Sequence, residues 1–158
     1  MPSQTSATTL LATITWATLS APAFAGDLPS APTAILPLSG TVRAAGDVNG
    51  DGSPDVVATS SSTIRVLLND GHGDFAPGVD TASTLASSSR IRLADMTGDG
   101  LNDLVAYGLS TPLTILPSLG DGSFGPARTL PGAPGQLDAA LGDVDADGLL
   151  DVVTVNGD

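Results

Sequence analysis

The sequence predicts an all-β protein of short antiparallel strands, and three observations predict it. The first is composition: all 17 acidic residues are Asp, all 5 basic residues are Arg, and 19 Gly and 12 Pro stand among 158 residues. Asp is a poor helix former that favours turns, and the helix-surface residues Glu and Lys are absent. The second is a repeat: the segment Asp47-Val-Asn-Gly-Asp-Gly-Ser-Pro-Asp55 returns at Asp95–Asp103 and at Asp143–Asp151, each copy 48 residues after the last. The third is that every copy sits between short apolar or β-branched runs, with no long helical periodicity anywhere.

Taken along the chain, residues 1–25 come first. They carry no charged side chain, hold an apolar core from Leu10 to Leu19, and end Ala23-Phe24-Ala25 before Gly26. That is the small-residue pattern of a signal-peptidase site, although the leader lacks the usual basic residue at its start. The run is too short and too rich in Thr to span a membrane. A secretory signal over 1–25 places the remaining chain, 26–158, in a secreted or cell-surface setting.

Each repeat then offers about four strands. A short segment precedes the aspartate loop (VRAAGDV, IRLADM, LDAALGDV) and an apolar run follows it (DVVATS, DLVAYG, DVVTVN). TIRVLLN at 63–69 and PLTILPS at 112–118 supply a third strand. A Gly/Asp turn ending in Phe75 or Phe124 leads to a looser fourth. Four short strands per period of this length are the pattern of a β-propeller blade. The repeats run near 43–90, 91–138 and 139–158, the last truncated, giving about two and a half blades. Residues 26–42 occupy the outer-strand place of the period. An unclosed propeller exposes strand edges, so the chain is either a piece of a larger molecule, the reading favoured here, or one copy in an assembly.

The aspartate loops carry the chemistry. Two unit charges about 4 Å apart near a protein surface oppose each other by roughly 4 kcal/mol, so ten Asp within three nine-residue loops need a counter-charge. Oxygen side chains at positions 1, 3 and 5 with Gly at 6 wrap a hard cation, and calcium takes 6–8 oxygens. Neither His nor Cys lies in the loops, which disfavours softer metals. An EF-hand would need Glu at position 12 between helices. Here Ala58, Ala106 and Thr154 stand there, and the closing Asp is at position 9. Three calcium ions would bring the formal charge from −12 to −6.

At these residues the sequence resembles the FG-GAP/VCBS repeats of integrin-like calcium-binding β-propellers. The D-x-[DN]-x-D-G-x-x-D loops carry the resemblance, with the Phe-containing turns at Asp74–Pro77 and Ser123–Pro126. It implies metal ligands Asp47, Asn49, Asp51, the Ser53 carbonyl and Asp55 in the first loop. In the second it implies Asp95, Thr97, Asp99, the Leu101 carbonyl and Asp103. In the third it implies Asp143, Asp145, Asp147, the Leu149 carbonyl and Asp151. Thr97 departs from the usual Asp or Asn, so the second site is expected to bind most weakly.

Other motifs reduce to structure. Gly120–Gly125 spells GxGxxG but is followed by Pro126 rather than a helix, which predicts a hairpin turn. His72, the only histidine, lies in the matching turn, and 81–90 reads as a solvated Ser-rich loop between blades. No nucleophile–base set is recognisable, so no catalytic or organic cofactor-binding residue is assigned and the chain is not expected to be an enzyme. The net charge of −12 argues against nucleic acid or an anionic membrane as partner. The expected function is a secreted, calcium-stabilised recognition or adhesion module for a protein or glycan ligand of unknown identity. A sugar-binding lectin, or a non-catalytic domain of a larger secreted enzyme, are the alternatives.

Overall fold

A computed structural model describes residues 11–15, 33–37, 40–85, 89–131 and 135–157, and every regular element among them is a β-strand. The chain divides into two compact units, Met1–Ser39 and Gly40–Asp158. In the first, β1 (Leu11–Thr15) pairs antiparallel with β2 (Thr33–Pro37), from Leu11 opposite Pro37 to Thr15 opposite Thr33. The rest of the segment read as a leader, 1–25, lies outside the described residues. Of 26–42, expected to supply an outer strand of a blade, residues 33–37 are extended as β2, whose described partner is β1 rather than a strand of a blade.

The second unit is a succession of three antiparallel sheets, one per repeat. The first holds β3 (Thr41–Gly46), β4 (Asp55–Thr59), β5 (Thr63–Asn69) and β6 (Phe75–Pro77) in that order, and β7 (Thr81–Ala82) also pairs with β5. The second holds β8 (Arg90–Ala94), β9 (Asp103–Gly108), β10 (Thr111–Leu116) and β11 (Arg128–Thr129), again in chain order. The third is the pair β12 (Gln136–Gly142) and β13 (Asp151–Asn156). These are two blades and the inner half of another. The outer strand of the first blade is broken in two at Gly78–Asp80, where Asp80 turns to pair with Arg65 of β5. In the second blade the corresponding outer contact shrinks to a bridge between Ser118 and Phe124, followed by β11.

Continuous apolar runs, rather than alternation, follow from burial on both faces. In β4 the consecutive residues Val56 and Val57 are both fully buried, and in β9 so are Leu104, Val105 and Ala106. Successive strand residues point to opposite faces. Val48, Val57, Ile64 and Val66 of the first blade thus meet Leu104, Ala106, Leu116 and Phe124 of the second in one cluster. On the other side of β9, Val105, Tyr107 and Leu113 pack with Ala139, and with Leu141 and Val152 of the third sheet. The core therefore lies between blades, not within them.

The turn expectations hold. Gly120–Gly125 lies in a hairpin closed by the Leu119 amide donating to the Ser123 carbonyl at 3.1 Å. The His72 side chain is largely exposed. The stretch 81–90, expected as a loop, differs at both ends: Thr81–Ala82 form β7 against β5, Arg90 opens β8, and Ser89 is buried with its hydroxyl bonded to that of Thr111.

Candidate metal centre: three aspartate loops

Each loop joins the first two strands of its blade, and its ninth residue opens the second: Asp55 opens β4, Asp103 opens β9 and Asp151 opens β13. All three loops thus emerge at the same end of their sheets. Their glycines make the sharp turn, with Gly52, Gly100 and Gly148 at φ of 85°, 88° and 90°.

The carboxylate at position 1 organises each loop from within. Asp47 accepts the amides of Gly50 at 2.7 Å and Gly52 at 2.8 Å. Asp95 accepts those of Gly98 at 2.7 Å and Gly100 at 2.9 Å. Asp143 accepts those of Asp147 at 3.1 Å and Gly148 at 3.0 Å. At position 5, Asp51, Asp99 and Asp147 accept the amide of the residue two ahead. The Asn49 side-chain amide and the Ser53 backbone amide both donate to Asp51 and hold its carboxyl below the usual carboxylate range.

Position 3 separates the loops. Asn49 and Asp145 each turn an oxygen inward to accept the position-5 amide at 3.1 Å. Thr97 makes no such bond, and the Asp99 amide goes to Asp95 instead.

Position 9 has a role the sequence did not disclose. Asp55 is fully buried, and its two oxygens accept the amides of Val48 at 3.0 Å and Asn69 at 2.9 Å. Asp103 repeats this with Met96 and Ser118, each at 2.9 Å. One carboxylate thereby ties the loop to the end of the third strand. Burial pushes the Asp55 carboxyl up, partly offset by the Val48 and Asn69 amides. Asp151 accepts only the Val144 amide, at 2.9 Å, and is half-buried. The donors Asn69 and Ser118 offer backbone amides, so residue identity could not have flagged them.

Of the residues expected as ligands, the third loop gathers the most. Asp143, Asp145 and Asp151 each bring one carboxylate oxygen within 4.8 Å of the others, the one such acidic trio among the described residues. In the first loop the Asn49 amide nitrogen faces Asp51 at 2.9 Å. The position-7 residues, named for their carbonyls, also use their side chains. A Cβ on Gly50 would come within 2.9 Å of the Leu101 side chain, and one on Gly98 within 3.3 Å of Leu149. The second and third loops thus each lean on the glycine at position 4 of the loop before.

Between the blades, the Asn102 side chain donates to the Asp47 carbonyl at 2.8 Å, and the Ser118 hydroxyl to that of Val48. The second blade therefore grips the backbone of the first loop.

A family model of the FG-GAP-like repeat matches residues 47–106 and again 95–154. The chain belongs to the FG-GAP-like repeat family. Each match opens on the first aspartate of a loop and runs past the next loop, so the FG-GAP unit here is a loop, the blade that follows it and the loop of its neighbour. Among proteins of curated function, none matches the chain.

Proposed function

We propose that the three loops of this FG-GAP-like repeat protein bind calcium, and that the ions brace the blades of a secreted or cell-surface recognition module. The convergence of Asp143, Asp145 and Asp151 is the observation that carries the reading. The donor set suits the ion: side-chain oxygens at positions 1, 3, 5 and 9, with a carbonyl at position 7, and no nitrogen or sulfur ligand type. The residues that would hold the ions are those named in the sequence analysis, loop by loop. A dication would neutralise the carboxylates that loops one and three crowd together.

In the first loop, burial of Val48 in the inter-blade cluster couples ion binding to blade packing. Recognition is favoured over sugar binding because, of the described aromatics, Tyr107 and Phe124 are buried and only Phe75 is partly open for stacking. We read the chain as non-catalytic.

Isothermal titration and thermal unfolding of the full chain test this. Extracellular calcium modules bind at about 10⁻⁴–10⁻³ M, so calcium at about 1 mM is expected to stabilise by about 0.4–1.4 kcal/mol per loop. The second loop, with Thr97, should be the weakest site. No heat of binding and an unchanged melting temperature on adding EDTA would end the calcium reading.

A further inference from the structure

Position 8 of the loops is filled by Pro54, Asn102 and Leu150. Of these, Asn102 alone has a side chain that can donate a hydrogen bond. It makes that bond outside its own blade, to the Asp47 carbonyl at 2.8 Å. Asn102 thus stands between Leu101 and Asp103, both expected ligands of the second loop, while holding the backbone of Asp47, an expected ligand of the first.

A second connection runs beneath it. The two oxygens of Asp103 accept the amides of Met96 and Ser118. The Ser118 hydroxyl donates to the Val48 carbonyl, and the Val48 amide donates to Asp55. Asp103, Ser118, Val48 and Asp55 are all buried, so water does not compete for these bonds. The ninth-position carboxylates of neighbouring loops are therefore joined through Ser118 and Val48. The Leu101 side chain adds an apolar contact against Gly50.

We propose that Asn102 and Ser118 are positioning residues that couple the first two loops, so that calcium in either one raises the affinity of the other. This deepens the calcium reading above and rests on it. The second loop is exposed from Thr97 to Gly100, and Thr97 makes no bond to the Asp99 amide, so this loop opens easily. Its closure sets Leu101, Asn102 and Asp103 in place together, and with them the contacts to Asp47 and Val48. The first loop, exposed from Gly50 to Gly52, loses less freedom on binding when its backbone is already held. Linkage makes the effect equal in both directions.

A calcium titration of the isotope-labelled full chain, followed by NMR at the Gly52 and Gly100 amides, reads the two loops separately. Asp99→Asn weakens the second loop while keeping an oxygen for the Leu101 amide. It should raise the calcium midpoint of the first loop about five-fold. In an Asn102→Leu background, which copies the leucine of the third loop, the same change should move that midpoint less; Ser118→Ala is the second background should the first fail to fold. Side chains that only support the fold would lower the melting temperature and leave the dependence of loop one on loop two intact. A first loop indifferent to Asp99→Asn, or a shift undiminished in both backgrounds, overturns the coupling while calcium binding stands. Glycine amides that stay in place in millimolar calcium overturn both readings.

Discussion

Ala146 stands at φ 64°, where the other two loops have Gly50 at φ 80° and Gly98 at φ 76°. A left-handed backbone at a residue with a Cβ costs roughly 1–2 kcal/mol. Ala146→Gly should therefore raise stability by about 0.5–1 kcal/mol, after allowing for the greater freedom of glycine in the unfolded chain. Urea denaturation of the two proteins measures it. Asp55 supplies a second residue-scale test, because its buried carboxylate serves two amides whether or not an ion is present. Asp55→Ala leaves the Val48 and Asn69 amides without their partner, an expected loss of about 2–4 kcal/mol, and the loss should persist in EDTA. A variant destabilised only in calcium would make Asp55 a ligand and nothing more.

At the scale of elements, the difference between sheets is the number of strands that support them. β9 has neighbours on both edges and apolar sheets on both faces, while β13 pairs with β12 alone among the described strands. A two-stranded hairpin is marginal by itself. Amide hydrogen exchange should accordingly be slowest in β4 and β9 and markedly faster in β12 and β13, since local opening follows packing and strand pairing. Equal protection across the three sheets would contradict the picture of two complete blades and an open half. The broken outer strand adds its own local contact: Asp80 grips the Arg65 guanidinium through both oxygens, which holds the Asp80 carboxyl below the usual carboxylate range.

For the whole molecule, charge decides how stability depends on pH. Asp80 is lowered by Arg65, and Asp138 by the Ala139 amide, then Tyr107 and its two Arg neighbours. A carboxylate with a depressed folded pKa contributes stability above its unfolded value, about 3.9, and loses it as pH falls through the folded value. Asp55, raised by burial, works the other way and gains from protonation. The depressed groups are exposed, so the acid limb should be shallow: a melting temperature nearly level above about pH 5 that declines below about pH 4. Asp80→Asn should flatten that decline, and an unchanged profile would show the ion pair to be inert.

The sequence by itself determined the all-β class, the 48-residue period, the strand that opens on each ninth-position aspartate and the loop residues that could meet an ion. Those features are local: turn chemistry, a glycine where φ is positive, and apolar runs too short for helices. Tertiary structure alone decided that the ninth-position Asp55 and Asp103 are ties, since each carboxylate reaches a backbone amide at the end of the third strand of its blade. It also decided that Val48 is core, covered by the second blade. Burial depends on what packs opposite, and no residue's own chemistry records its neighbour across a sheet interface.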